Sequence, residues 1–228
     1  MPDLAERLAD VDARIAAAVR ASGRAPDEVT RIVVTKFHPP ELVTRLHALG
    51  VRDVGENRQQ ELTAKRAVLE GTAPLRWHFI GQAQTNKARA VRAAADAVHS
   101  VDRARIADAL HAADPEGEPL DVLLQVNLTD DPGRGGARPD DVEALGEHLL
   151  ASCPSLRPRG VMAVAPLEEE PAAAFARLAA ASATLRSVVP DATWISAGMT
   201  GDFVDAIAAG ATHLRIGSAI TGPRPDRG

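Results

Sequence analysis

Apolar residues recur along the chain in two periods, and the alternation between those periods predicts the fold. Leu4, Leu8, Val11, Ile15, Ala18 and Val19 fall in steps of three and four, one face of an amphipathic helix. Ser22-Gly23 follow, and glycine there suits the left-handed position that ends a helix. Beyond it, short β-branched runs alternate with longer helical patterns. Strands are expected at Arg31–Lys36, Val51–Gly55, Trp77–Gly81, Ala97–Val101, Asp121–Asn127, Arg159–Val164, Trp194–Ala197 and His213–Ile216. Helices are expected at about 41–49, 58–70, 84–95, 103–112, 139–151, 169–188 and 202–209. Ile32-Val33-Val34 and Val122-Leu123-Leu124 are apolar without interruption, as parallel strands covered on both faces should be. Roughly eight strands, each but the last followed by a helix, describe an α/β fold, a (β/α)8 barrel of TIM type with an extra N-terminal helix. A doubly wound open sheet is the alternative reading of the same order. Thr129–Pro139 and Pro115–Pro119 read as loops, and no shift of composition divides residues 1–228, which are expected to form a single domain.

Composition narrows the function classes. The chain has 228 residues, 45% hydrophobic and 25% charged, enough for one sizeable core. With 31 acidic against 26 basic residues and a net charge of −5, no basic field invites nucleic acid. No apolar run reaches the roughly 18–20 residues of a membrane helix, and the N-terminus carries charges of both signs, unlike a signal peptide. No membrane partner and a cytoplasmic location are therefore expected. Cys153 is the single cysteine, which excludes a disulfide framework and multi-cysteine metal sites. The histidines form no His-x-x-x-His pair, and no metal is expected. A P-loop and a Gly-x-Ser-x-Gly elbow are missing, and Gly133-Arg134-Gly135 completes no dinucleotide fingerprint.

In such a barrel the chemistry sits at the carboxyl ends of the strands. The first strand closes on Lys36, which is either an amine desolvated in a dry mouth and activated as a nucleophile, or a lysine snorkelling from the rim. The second runs into Glu56-Asn57, either of which could cap the next helix, Asn57 being the better type. His78 alternates with apolar residues in the third strand and reads as a core histidine, and Asp102 after the fourth reads as a helix cap. Ser196-Ala197-Gly198-Met199-Thr200-Gly201 and Gly217-Ser218 follow the last two strands, the recurrent phosphate position of these barrels. Two ordinary tight turns are the alternative there. Arg215 lies inside the last strand, too early for a loop ligand.

Val34-Thr35-Lys36 with Pro39, Gly55-Glu56-Asn57 with Gln60-Glu61, and Trp77-His78-Phe79-Ile80-Gly81 with Gln84 and Asn86-Lys87 form an ordered series. It continues through His99-Ser100-Val101-Asp102-Arg103, Arg159-Gly160-Val161-Met162, Gly198-Met199-Thr200 with Asp202, and Arg215-Ile216-Gly217. Over nearly its whole length the sequence resembles the pyridoxal phosphate homeostasis proteins, single-domain relatives of the alanine racemase barrel. The resemblance implies pyridoxal 5'-phosphate (PLP) as cofactor, held as an internal aldimine on Lys36, with Arg215 at the pyridine nitrogen. It places Asn57 near the ring with His78 supporting that wall, and assigns the phosphate to Ser196, Gly198, Met199, Thr200, Gly217 and Ser218. It further implies a vitamin B6 carrier without turnover, so no residue is expected to be catalytic. An arginine accepts no proton from the pyridine and so weakens the ring as an electron sink. Barrel racemases also use a tyrosine as one of their two bases, and this chain contains no tyrosine. A low-activity PLP-dependent racemase or decarboxylase is the alternative, and an aldolase-type Schiff base on a sugar phosphate a third. Apo PLP-dependent enzymes are expected partners, and a monomer the expected state. Three departures from the family pattern stand out. Arg134 occupies a loop position where many relatives carry lysine. Ile220-Thr221-Gly222 lacks an aromatic residue, which would loosen the closing end of the barrel. The chain after Gly222 is expected to fray.

Overall fold

The computed structural model describes residues 2–71, 74–131 and 133–224. Helix α1 (Leu4–Ala21) buries its apolar stripe and ends as expected: Gly23 takes φ 71°, and the N–H groups of Gly23 and Arg24 close onto the Arg20 and Val19 carbonyls. The strands are β1 (Thr30–Val34), β2 (Asp53–Glu56), β3 (Arg76–Phe79), β4 (Ala97–Val101), β5 (Leu120–Gln125), β6 (Leu156–Met162), β7 (Trp194–Ser196) and β8 (His213–Ile216). They pair in parallel in chain order and close, β8 on β1. The open-sheet alternative is excluded by that closure. Between them run α2 (Pro40–Ala48), α3 (Gln59–Leu69), α4 (Ala88–Ala94), α5 (Ala104–Ala113), α6 (Val142–Ser152), α7 (Pro171–Val188) and α8 (Phe203–Ala208). A short α9 (Ser218–Thr221) ends the fold.

Strand alternation divides the core in two. Val33, Val54, Phe79, Val122, Leu124, Val161 and Leu214 join the helices in one apolar cluster. The side chains of His78, His99, Ser196 and Arg215 bond one another across the inside of the barrel, where hydrophobic layers are usual. Gly160 is required by packing: a Cβ there would lie 1.8 Å from the Trp194 carbonyl oxygen, at the β6–β7 pairing, with φ at +154°. Gly160→Ala should therefore cost about 3 kcal/mol or more, as overpacking against unyielding backbone does. A denaturant midpoint equal to the wild type's would contradict that close approach.

The closing end is not loose. Ile220 is fully buried, Thr221 is buried, and Arg7 Nε of α1 donates to the Ile220 carbonyl at 2.7 Å. Packing of α1 over α8 and α9 does the work expected of an aromatic residue. Nor does the chain fray directly after Gly222: the Arg224 guanidinium stands 3.9 Å from the Phe37 ring centroid. Residues 225–228 lie outside the described residues. No helix among the described residues is long and apolar enough to cross a membrane.

Candidate functional site

β1 ends at Val34, two residues before the expected boundary, so Lys36 stands in the following turn and is exposed rather than desolvated. Chain reversal causes this: Phe37 has φ 70°, the only positive φ of a non-glycine residue among those described. A left-handed phenylalanine costs on the order of 1–2 kcal/mol and persists only where its surroundings hold it. Glu61 of α3 does so, accepting the Phe37 N–H at 2.7 Å. Beneath the turn, Glu56 is fully buried and its Oε1 accepts from Thr35 Oγ1 and from Lys65 Nζ, both at 2.5 Å. Lys65 Nζ also donates to the Thr35 carbonyl at 2.8 Å. Burial pushes the Glu56 carboxyl above its usual range, against the opposing pull of the Lys65 cation. Glu56 is thus no helix cap. Asn57 is none either, because the N-cap position of α3 is Arg58, without a side-chain bond. Thr35 and Glu61 belong to the ordered series in the sequence but carry no role there, and Lys65 does not stand out in it. A lysine among apolar helix positions was the one available signal.

Asn57 Oδ1 is buried without a partner, and Asn57 helps line a cavity of about 180 Å³ with Phe79, Gln82 and Gln84. Gly81 allows this approach, since a Cβ there would meet the Asn57 carbonyl oxygen at 2.0 Å. On the other side of β1, the β7 and β8 turns present the N–H groups of Gly198, Thr200, Gly217 and Ser218 with no partner among the described residues. Gly198 takes φ +90°, where any Cβ would meet Ala206 Cβ at 2.8 Å. Two residues of the expected phosphate group are otherwise engaged. Met199 donates its N–H to Asp202 Oδ1 at 2.6 Å. Ser196 is fully buried inside the barrel, its hydroxyl between His99 Nδ1 at 2.9 Å and Arg215 Nη1 at 2.7 Å. His78 is fully buried as well, and its ring nitrogens bond Asp53 Oδ1 and His99 Nε2, each at 2.9 Å. Asp102 is no cap, pairing instead with Arg103 at 2.6 Å, and Arg103 itself is the N-cap residue of α5.

Arg215 is buried, and its Nη2 donates to the Ala163 carbonyl at 2.8 Å. Burial lowers its pKa to about 10, which leaves it a cation at neutral pH. Burial likewise holds His78 and His99 below the ordinary histidine range, with neighbouring cationic charge adding to the effect at His99, and His213 is lowered to about 3. In the folded state these rings stay neutral where unfolded histidines protonate. Their contribution to stability is complete above about pH 6.5 and is lost as pH falls from there toward the folded values. Urea midpoints should therefore drop steeply below pH 6.5. Each such ring contributes a slope of about 1.4 kcal/mol per pH unit, and His213→Gln should remove about one proton from it. An unchanged slope in that variant would sink the assignment.

Away from the mouth, Asp108, His148 and Cys153 bring one ligand atom each within 4.8 Å of one another. Hydrogen bonding explains the trio, since Asp108 Oδ1 bonds His148 Nε2 at 2.6 Å and accepts from the Cys153 thiol at 3.7 Å. Burial and the Asp108 charge push that thiol up to about 11, away from the thiolate a metal requires. Arg134 helps line a separate cavity of about 270 Å³ with Gln125 and Asn127.

An exposed lysine, a buried arginine and a set of unpartnered N–H groups therefore meet on the adjacent strands β7, β8 and β1, with Asn57 beside them after β2. Fold and mouth define a lysine-bearing parallel barrel of the alanine racemase type, and the family described as alanine racemase, N-terminal domain, matches residues 9–225. The chain belongs to the pyridoxal phosphate homeostasis protein family. It is 43% identical to the protein of that name from Pseudomonas aeruginosa, covering 98% of this chain and 97% of the relative. With the Escherichia coli protein it shares 39% identity over 98% of each chain. The structure of PipY from Synechococcus elongatus with PLP bound superposes with a TM-score of 0.83 at 35% identity, covering 96% of this chain and all of that one (100%). Alanine racemase from Corynebacterium glutamicum shares the barrel at 14% identity and TM-score 0.70, with 60% of its chain covered.

Proposed function

We propose that this chain binds pyridoxal 5'-phosphate in the barrel mouth as a single domain over residues 1–228, attached covalently through Lys36 Nζ, and serves vitamin B6 homeostasis without turnover. The observation that carries the reading is the convergence of Lys36, Arg215 and the unpartnered N–H groups on adjacent strands. The donor set fits the group. Gly198, Thr200, Gly217 and Ser218 offer N–H groups to a phosphate, the buried Asn57 amide oxygen lacks a partner, and Arg215 brings a cation toward the pyridine side. Bound there, the cofactor supplies an electrophilic aldehyde on an aromatic ring. The protein supplies the amine, holds the phosphate and denies the ring a proton, because a guanidinium only donates. A chain without tyrosine, whose arginine weakens the electron sink, suits storage and release better than abstraction of a Cα proton. A monomer in the cytoplasm that passes cofactor to apo-enzymes completes the proposal.

The test is a visible absorption spectrum of the purified protein before and after borohydride, followed by peptide mass mapping. A yellow band that borohydride bleaches, with the pyridoxyl mass on Lys36, is the expected result. Protein that is colourless and takes up no added PLP would overturn it. Measurable racemisation or decarboxylation of amino acids by the loaded protein would move the reading to an enzyme.

A further inference from the structure

The polar groups inside the barrel form one continuous chain from its mouth to its floor. It begins at Arg215, whose Nη1 donates to Ser196 Oγ at 2.7 Å. It passes from Ser196 to His99 Nδ1 at 2.9 Å, from His99 Nε2 to His78 Nδ1 at 2.9 Å, and from His78 Nε2 to Asp53 Oδ1 at 2.9 Å. Five strands contribute, and the step from β4 to β7 crosses the lumen. Ser196, His78 and His99 are fully buried and Arg215 is nearly so, while the Asp53 side chain remains 22% exposed at the amino end of β2.

The two ends of the chain dictate its polarity. A guanidinium can only donate and a carboxylate only accept. Ser196 receives the Arg215 hydrogen and turns its own toward His99, so His99 Nδ1 carries a lone pair and Nε2 the hydrogen. That hydrogen goes to His78 Nδ1, which leaves the His78 hydrogen on Nε2, facing Asp53. Every donor has an acceptor, and both rings are neutral Nε2–H tautomers. With His99 in this tautomer, adding a proton to His78 would set two N–H donors face to face across 2.9 Å, and relieving that would require His99 to move its own hydrogen onto Nδ1, reversing the chain's polarity at Ser196. Charges around His78 come from several elements: Asp53 on β2, Arg76 on β3, Asp96 before β4, and the His213 ring on β8.

We propose that Asp53, His78, His99 and Ser196 are positioning residues acting as one directional relay, which holds the Arg215 guanidinium at the cofactor's ring and ties its orientation to a carboxylate at the barrel floor. This rests on the PLP reading above for its last link only. The lowered pKa values of both buried rings agree with the neutral state the relay needs. The relay also accounts for Ser196 and His78, which touch no open space in the mouth.

Two measurements decide it. Nitrogen-15 imidazole spectra of the cofactor-free protein read the tautomers directly and need no PLP. Neutral Nε2–H forms on His78 and His99 at neutral pH are expected, and an Nδ1–H tautomer or an imidazolium on either ring overturns the relay. The second measurement is the rate of PLP release and the pH midpoint of its visible band. Ser196→Ala, which removes a hydrogen bond to the Arg215 cation, and His99→Phe, which removes the acceptor that orients the Ser196 hydroxyl, should each release PLP roughly tenfold faster and should displace the midpoint. Ser196→Thr, which keeps the hydroxyl, should restore both. Release and midpoint unchanged in Ser196→Ala, with wild-type protein binding PLP, would overturn the coupling to the cofactor. Wild-type protein that binds no PLP would overturn the proposed function instead, and the imidazole spectra would still decide the relay.

Discussion

Lys36→Ala should abolish covalent attachment of PLP while leaving the fold intact. The chain has three lysines, so the alternatives are few. Lys65 is 4% exposed and its ammonium is committed to Glu56 and the Thr35 carbonyl, which leaves it no free lone pair or path to a ligand. Lys87 lies in the one-turn 3-10 helix Thr85–Lys87 before α4, on the β3 side of the barrel. Borohydride reduction of the PLP-treated variant should therefore yield no pyridoxyl mass on any peptide, where the wild type carries it on the Lys36 peptide. Stability should change by less than about 0.5 kcal/mol, the usual range for an exposed side chain without specific bonds. Lys36 contributes only an ammonium 5.8 Å from the Phe37 ring centroid. Retained borohydride-sensitive colour with the mass on Lys87 would relocate the site. An unfolded variant would show that Lys36 has a structural duty that its exposure denies.

The largest effect on stability is expected at Lys65, not at the mouth. Lys65→Ala leaves the Glu56 carboxylate buried without its cation and the Thr35 carbonyl without its donor. Breaking a buried pair by removing one partner typically costs about 3–5 kcal/mol, and for a chain of this length that is a Tm fall on the order of 10 °C. A double variant, Lys65→Met with Glu56→Gln, removes both charges and should recover much of the loss. The same cluster supports the Phe37 turn that displays Lys36, through Glu61 and Thr35. Weaker PLP uptake should therefore accompany the lost stability in Lys65→Ala. Calorimetry of the two variants beside the wild type checks the first expectation, and absorbance titration the second. Equal melting temperatures for Lys65→Ala and wild type would mean that the ion pair is open to water.

Much of this protein could be read from its residues in order. A period of 3.6 over Leu4–Val19 gives α1, and uninterrupted runs such as Ile32-Val33-Val34 give covered parallel strands, because burial on both faces leaves no polar position to alternate. The positions of Lys36, Asn57 and the glycine turns after β7 and β8 were legible too, since in a parallel barrel the strand ends share one mouth.

What sequence order cannot carry is the partner of a polar side chain across the lumen. Asp53, His78, His99, Ser196 and Arg215 span more than 160 positions of the chain; in order, His78 reads as a core histidine and Ser196 as part of a phosphate turn, and nothing links them to Asp53, His99 or Arg215. Only closure of the barrel sets β4 opposite β7, and only then does the low-polarity interior oblige each donor to find an acceptor. The same holds at Glu56. Its sequence neighbours suggest a helix cap, whereas the fold buries it under the Lys36 turn and answers its charge with Lys65 from the next helix. Local periodicity thus determined the elements and the face on which the chemistry sits. Tertiary structure decided which residues meet there, because desolvation acts on neighbours in space and leaves no repeating mark along the chain.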